Sequence, residues 1–332
     1  MPSARRVTLA EVAARAGVSR AAASFVLTGR QDMRISETSQ QRVLAAAAAL
    51  GYRPNLTARS LRTSVTRTFG LISDTIAVSP FAGQIVQGAV AAARESGHLL
   101  FVAETGGDPA AEEAAVREMV DRQADGLLYA AMFTRPAAVP SSGAGQPTVL
   151  VNCLADGAAC MIPDELEAGR AAARILLLAG HRDGIYLAGT PEPTVFAARE
   201  REEGIEAELA AAGTALAGTL HCDWWPGHSF EAVRAFLDGG GRPSALICLN
   251  DRIALGAYQA LAEAGLRIPA DVSVVSFDDS DLASWLRPGL TSIALPHYDL
   301  GYRATTLLAA GQLDAGVHRI AMPVRARESV RG

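Results

Sequence analysis

Several acidic or amide side chains stand just past apolar, strand-like runs. Asp74 follows Phe69–Ser73, Asn152 follows Thr148–Val151, Asn250 and Asp251 follow Ala245–Leu249, and Asp278 and Asp279 follow Val272–Phe277. Ser79 also lies after the first run. Carboxylates and amides accept from or donate to neighbouring hydroxyls, so such a set could hold a polyol. Plainer roles stay open: Asn250 and Asp251 could start a helix as caps, and Asp278 and Asp279 could be turn residues. Adjacent acids rarely converge on one bond. No G-x-S-x-G, Walker loop, H-E-x-x-H or complete G-x-G-x-x-G is present, and Gly143-Ala144-Gly145 lacks the third glycine. Catalysis is therefore not expected. The six histidines have no metal-ligand spacing, and Cys153, Cys160, Cys222 and Cys248 form no CxxC pair. No metal or cofactor is expected.

A second chemistry lies in the charge distribution. The net charge of −5 divides unevenly. Residues 1–67 hold eleven arginines against Glu11, Asp32 and Glu37, a charge of +8; the rest holds 19 arginines against 32 acids, a charge of −13. There is no lysine. A small cationic head on an anionic body suits a polyanion partner that touches only the head.

The head must place those arginines, and it reads as three short helices. Thr8-x-x-Glu11 is a capping box. Leu9, Val12, Ala13 and Ala16 then fall on one helical face, which Gly17 ends. Ser19 caps a second helix, Arg20 to Leu27, with Ala23, Val26 and Leu27 inward and Arg20, Ala21, Ser24 and Phe25 outward. Helix, tight glycine turn and short helix make a helix-turn-helix, whose second helix enters the major groove. Ser36 caps a third helix, Glu37 to Leu50, with Val43, Leu44, Ala47 and Leu50 expected inward and Gly51 at its end. Asn55 could cap a helix of two turns, Leu56 to Leu61, too short to be stable alone.

The 332-residue chain is 49% hydrophobic, which provides core material for two or three folded units. After residue 67, strand-like runs (those above, with Leu99–Ala103, Gly126–Ala130 and Ile185–Ala188) alternate with helix-like runs at Gly83–Glu95, Ala110–Arg122, Glu165–Leu178, Phe196–Ala211, Phe230–Leu237, Arg252–Ala264 and Asp299–Ala309. Alternation of this kind means parallel sheets covered by helices. Two series in succession suggest two lobes, with a ligand at the strand ends or between the lobes. No apolar run is long enough to span a membrane, and no apolar signal-peptide core follows the first arginines. A cytoplasmic protein is expected, which argues against an exported solute-binding receptor.

The motifs Val7-Thr8-Leu9-Ala10-Glu11-Val12-Ala13, Ala16-Gly17-Val18-Ser19, Leu50-Gly51-Tyr52-Arg53-Pro54-Asn55 and Ala58-Arg59-Ser60-Leu61 resemble the lactose-repressor (LacI/GalR) family of bacterial transcription regulators. So do Ser79-Pro80-Phe81, Gly180-His181-Arg182, Arg201-x-x-Gly204, Leu249-Asn250-Asp251, Phe277-Asp278-Asp279 and Pro288-x-Leu290-Thr291-Ser292-Ile293. The resemblance implies a helix-turn-helix domain at 1–53, a hinge helix at 54–67, and a two-lobed, periplasmic-binding-protein-like body at 68–332. The N-lobe would take about 68–163 and 296–321, and the C-lobe 164–294 and 322–332, with crossings near Pro163, Ala294–Pro296 and Ala321–Pro323. It implies a repressor of double-stranded operator DNA, a homodimer, and a small effector, a sugar or related metabolite, in the cleft. Relatives contact effectors at positions matching Ser79, Phe81, Asn152, Arg201, Trp224, Asn250 and Asp278; Asp74 and Asp251 join this set from their strand-end placement. Arg201 would offer a rigid donor fork, and Trp224, or Trp225 beside it, an apolar face. DNA contacts are implied for Thr8, Ser19, Arg20, Ala21, Ala22, Ser24, Phe25 and Arg30, and for Asn55, Ala58, Arg59 and Leu61 of the linker, where Leu61 would wedge into the minor groove.

One departure matters. Many relatives have Thr-Val-Ser-Arg where this chain has Ala22-Ala23-Ser24-Phe25. The missing arginine removes a common guanine-reading fork. Phe25 could touch a thymine methyl or turn inward. No heptad tail follows Val330, which favours a dimer over a coiled-coil tetramer.

Overall fold

The computed structural model describes residues 7–28, 35–53, 65–76, 82–138, 143–190, 192 and 194–332. The chain divides into two compact units, Met1–Thr66 and Arg67–Gly332.

The first unit is built from α1 (Leu9–Ala16), α2 (Arg20–Thr28) and α3 (Glu37–Leu50). The capping box forms as the sequence predicts: Thr8 N–H donates to Glu11 Oε2 at 2.7 Å, and Glu11 N–H donates to Thr8 Oγ1 at 3.3 Å. Gly17 ends α1 at φ 63°, a left-handed position that costs glycine little. Ser19 Oγ accepts from Ala22 N–H at 3.1 Å and starts α2. Val12, Ala13, Ala16, Ala23, Val43, Ala46 and Ala47 make the core. Leu44 does not join them. It is 55% exposed, because Ala46 takes the inward position beside Val43 and Ala47.

The second unit holds two sheets with the same wiring. The N-lobe sheet contains β1 (Thr68–Ser73), β2 (Leu99–Glu104), β3 (Gly126–Pro136), β4 (Thr148–Leu154), β5 (Ala159–Pro163) and β11 (Gly316–Ile320), in the order β11-β5-β4-β3-β1-β2. Every pairing in it is parallel. The C-lobe sheet contains β6 (Ile185–Ala188), β7 (Gly218–Leu220), β8 (Ala245–Cys248), β9 (Ser273–Asp278), β10 (Thr291–Ala294) and β12 (Val324–Arg325), in the order β12-β10-β9-β8-β6-β7. Here only β12 runs antiparallel. In both sheets the first strand pairs with the second and third, and the last strand lies at the far edge. The chain passes between the sheets three times: after Pro163, at Leu295–Pro296, and over Ala321–Pro323.

Helices cover these sheets because their apolar stripes need burial. In the N-lobe these are α4 (Gly83–Glu95), α5 (Pro109–Asp121) and α11 (His297–Ala310); in the C-lobe, α6 (Glu165–Leu178), α7 (Phe196–Ala211), α8 (Pro226–Asp238), α9 (Asp251–Glu263) and the short α10 (Asp281–Trp285). One N-lobe core joins Ile85 and Ala89 of α4 to Leu300 and Ala304 of α11 over the sheet; another joins Val116 and Met119 of α5 to Leu127 and Leu150. Each leucine-sized side chain so buried contributes about 1.5–3 kcal/mol. Glycines let neighbouring helices meet backbone to backbone. A Cβ on Gly88 would overlap the carbonyl oxygen of Tyr298, and one on Gly301 that of Ile85. The C-lobe repeats the device: Gly169 sits against Arg201 O, and Gly204 against Leu166 O.

His181 serves the fold. It is buried between Ser244 Oγ at 3.2 Å and Ser273 Oγ at 2.9 Å, and burial with Arg331 nearby pushes it down to about 4.

Candidate functional site

Two surfaces collect the residues singled out by the sequence. The first is the outer side of α2. With Ala23 buried and Val26 and Leu27 packed on the core, the helix turns Arg20 and Ala21 to solvent, while Ala22, Ser24 and Phe25 are half-buried. Phe25 is thus neither fully exposed nor part of the core. Thr8 and Ser19 are exposed at the N-termini of α1 and α2. N-terminal helix turns bind phosphate through free N–H groups, and Arg20 is placed to reach a base edge or phosphate. Arg30, Asn55, Ala58, Arg59 and Leu61 lie outside the described residues.

The second surface is a cavity of about 180 Å³ between the lobes. Its N-lobe wall comes from Asn152 and from the far end of β3, Met132 to Arg135. Strand β3 reaches this far because its pairing with β4 shifts register between Ala130 and Arg135. Its C-lobe wall comes from Glu165, Thr194–Ala197, Arg201, Trp224 and Asp278, with Leu295 and His297 at a crossing.

The C-lobe wall is a finished charge network. Arg201 is 2% exposed, and Phe277 stacks under its guanidinium at 4.5 Å. Its Nε donates to Glu165 Oε2 at 2.7 Å, Nη2 to Glu165 Oε1 at 3.2 Å, and Nη1 to Leu249 O at 2.5 Å. The expected donor fork is therefore occupied from within the chain. What it presents to the cavity is Nη1 facing Asp278 Oδ1 at 3.8 Å. Burial pushes the Asp278 carboxyl up to about 8 against the pull of Arg201.

Asp251 explains how Asp278 is held. It is 1% exposed, and it accepts from Ser292 Oγ at 2.8 Å, from Ser276 Oγ, and from Ser280 N–H at 2.7 Å and Ser280 Oγ at 2.8 Å. Four hydrogen bonds on one buried carboxylate tie the start of α9 to β9, β10 and the loop after β9. Asp278 and Asp279 keep positive φ there, at 103° and 50°. Asp279 is held by Arg327 Nη2 at 2.6 Å. Asn250 acts as the helix cap, its Oδ1 accepting from Ile253 N–H at 2.8 Å.

The N-lobe wall is unfinished. Asn152 is 3% exposed with φ 53°, and its Oδ1 has no hydrogen-bond partner among the described residues. A buried acceptor left alone costs about 1–3 kcal/mol. A ligand hydroxyl in the cavity would satisfy it.

The structure thus brings Asn152, Arg201, Trp224 and Asp278 to one cavity. Trp224 lines it and donates from Nε1 to Thr190 O at 3.2 Å, while Trp225 is 58% exposed under Arg252. Of the two tryptophans, Trp224 is the one that lines this cavity. Asp74, Asn250 and Asp251 are not in the cavity lining. Asp74 accepts from Thr75 N–H at 2.6 Å and from Met132 N–H at 2.9 Å, and so braces the β3 wall. Ser79 and Phe81 lie outside the described residues. Sequence reasoning missed Glu165, Arg135, Phe196 and His297. The one available signal was Glu165, an acid in the first turn of a helix whose N-cap, Asp164, is already acidic. His297 is 5% exposed, and burial pushes it down to about 4.

Across the lobes, Arg319 of β11 forks onto Glu200 of α7, with Nη2 to Oε1 at 3.0 Å, and lies 3.6 Å from Asp164. A larger space of about 510 Å³ shares Asp278, Leu295 and His297 with the first and also touches Arg252, Trp285 and Tyr298. Among the described residues no acid–histidine–cysteine cluster could hold a metal, and no helix is long and apolar enough to cross a membrane.

Comparison with known proteins finds relatives that cover nearly all of the chain. Residues 8–55 match the family described as bacterial regulatory proteins, lacI family, and residues 173–330 match a periplasmic binding protein-like domain. The ribose operon repressor of Escherichia coli (strain K12) is 33% identical over 325 residues, covering 95% of this chain and 94% of that protein. The sucrose operon repressor of Shigella flexneri is 32% identical over 331 residues, covering 96% and 98%. Among solved structures, the lac repressor dimer bound to operator and the anti-inducer ONPF superposes with a TM-score of 0.78 at 27% identity, covering 99% of this chain and all of that one.

Proposed function

Because the chain belongs to the lacI family of bacterial regulatory proteins, we propose that it is a DNA-binding transcriptional repressor whose hold on operator DNA is set by a sugar or related metabolite bound between its lobes. The observation that carries this reading is the pairing of an arginine-rich helix-turn-helix unit, with Arg20 and Ala21 outward on α2, with a body whose interlobe cavity contains a buried acceptor unsatisfied among the described residues. It is a binding switch rather than a catalyst, and it acts in the cytoplasm.

The head at 1–53 reads the major groove through Ser19, Arg20, Ala21, Ala22, Ser24 and Phe25, with Thr8 and Arg30 on the backbone. The linker at 54–67 contributes Asn55, Ala58, Arg59 and Leu61. The body at 68–332 binds the effector through Asn152, Arg201, Trp224 and Asp278, together with Ser79 and Phe81, which follow β1 in the sequence; Asp251 and Asn250 shape the C-lobe wall and Asp74 the N-lobe wall. The N-lobe comprises about 68–163 and 296–321, and the C-lobe 164–294 and 322–332. A homodimer of bodies sets two heads on successive half-sites of a near-palindromic operator. Edge strand β2 leaves Leu99, Phe101 and Val102 exposed, an apolar surface that a second copy can cover.

Coupling between effector and operator is reciprocal: a ligand that weakens operator binding by some factor is bound more weakly, by that factor, in the operator complex. The test is fluorescence anisotropy of the full chain with duplexes from the region upstream of its own gene. Binding that weakens steeply with salt is expected, as phosphate contacts release counterions. Removal of residues 1–67 should abolish it. No salt-sensitive binding to any duplex would overturn the regulator reading.

A further inference from the structure

Among the described residues the interlobe cavity is lined by two guanidiniums, Arg135 and Arg201, and the charge of each is faced by acids of this chain. Arg201 spends Nε and Nη2 on Glu165 and donates from Nη1 to Leu249 O. Its remaining face points to Asp278 at 3.8 Å. Arg135 stands between two acids, 3.8 Å from Asp74 and 3.9 Å from Glu112. His297 is buried and neutral at ordinary pH, since burial pushes it down to about 4. The segments of the body beyond description, 77–81, 139–142, 191 and 193, contain no ionisable side chain. Against these committed cations stands Asp278, with no bidentate partner of its own.

The uncommitted polar group is of another kind. Asn152 Oδ1, buried and unpartnered among the described residues, calls for a hydrogen-bond donor. Asp278 has lone pairs to offer as well. Trp224 and Phe196 supply apolar faces. Donors on a ligand with apolar ring faces would satisfy all of these. A phosphate or carboxylate would bring acceptors to a wall that already has one too many.

We propose that this cavity is built for an uncharged polyhydroxylated ligand and turns away anionic derivatives of the same ligand, because both of its guanidiniums are neutralised by acids of this chain. The proposal rests on reading the cavity as the effector site. The state of Asp278 agrees with it. Surroundings that hold their own carboxyl up at about 8 resist a negative charge, and a ligand's anion would meet the same resistance. Rejection of this sort is strong, because a buried charge without a partner cannot be compensated.

The experiment uses the full chain and matched panels: free pentoses and hexoses, their phosphate monoesters, and their aldonic and uronic acids. Each is assayed by thermal shift and by its effect on the affinity for an operator duplex. At least one uncharged sugar should raise the melting temperature and change duplex affinity, while its phosphate and its acid act at least a hundredfold more weakly in both assays. At pH 9, where the Asp278 carboxyl is ionised, Asp278→Asn should narrow that gap several-fold; equal weakening of both classes would assign Asp278 a purely structural role and overturn the charge argument. A phosphate or acid that binds within tenfold of its parent sugar also overturns the proposal, as does failure of every uncharged sugar. In these cases duplex binding by the free chain leaves the regulator reading standing. A sugar that binds selectively to a chain that holds no duplex would do the reverse.

Discussion

The two lobes share one strand order and differ in how their strand ends are finished. In the C-lobe, Arg201, Glu165 and Leu249 O form a closed set, and Asp251 ties Ser276, Ser280 and Ser292 around the turn that carries Asp278. In the N-lobe, Asp74 braces Met132, but Asn152 Oδ1 has no partner among the described residues. One half of the cavity is assembled in advance, and on the function proposed above the other half is completed by the effector. Identical wiring fixes where a site can lie; the side chains at the strand ends decide which half pays in stability and which in affinity.

Four substitutions would break or sharpen this contrast. The largest effect is expected for Glu165→Ala, which strands a buried guanidinium. Loss of one partner of a buried pair costs about 3–5 kcal/mol, to be read in urea unfolding of the full chain. A loss below about 1 kcal/mol would show that the C-lobe network is no preassembled unit.

Next comes Asp278→Asn, with a pH signature. The carboxyl is raised from 3.8 to about 8 on folding, so between these values the folded chain keeps a proton that the unfolded chain has lost. Stability from this group is full below about 4 and falls as pH rises through 8. Asp278→Asn should therefore raise the melting temperature at pH 8.5 and leave it nearly unchanged at pH 4. A gain of equal size at both pH values would contradict the raised carboxyl.

Asn152→Leu should act with the opposite balance. Effector affinity should fall about tenfold, the worth of one hydrogen bond, while the melting temperature changes little, because removal of an acceptor unsatisfied among the described residues offsets the strain of leucine at φ 53°. A large fall in stability would make the N-lobe wall as prebuilt as its counterpart. The smallest effect belongs to Arg319→Ala. Its ion pair with Glu200 is partly exposed, so about 0.5–1 kcal/mol of stability is expected to go. Calorimetric titration should show a change of a few-fold in effector affinity as the tie between lobes is removed.

Much of the architecture was legible in the sequence because its signals are local. The capping box at Thr8 and Glu11, the glycine stop at Gly17, and the alternation of strand and helix runs all concern neighbours in the chain, and α4, α6 and α7 match the predicted runs residue for residue. Strands β5, β7, β10, β11 and β12 were not anticipated: three are four residues or shorter, and β11, with four of its five residues exposed, carries no apolar run. At the site, strand-end placement together with the family resemblance gathered Asn152, Arg201, Trp224 and Asp278. It could not tell ligand-facing acids from bracing ones. Asp251 and Asp278 both follow apolar strands, yet one is consumed by three serines and the other faces the cavity. Glu165 escaped notice because its partner Arg201 lies 36 residues away, a pairing that only the packed helices reveal.

The glycine contacts between helices reach further than packing. At Gly88, Gly301, Gly169 and Gly204 even a methyl group would force helices apart. A genetic screen for loss of repression should therefore recover alanine and serine at these four positions alongside changes in the cavity and on α2. Such mutants would be silent about ligand chemistry: their purified chains would melt early with or without sugar, whereas true pocket mutants would keep their melting point and lose only the ligand's shift.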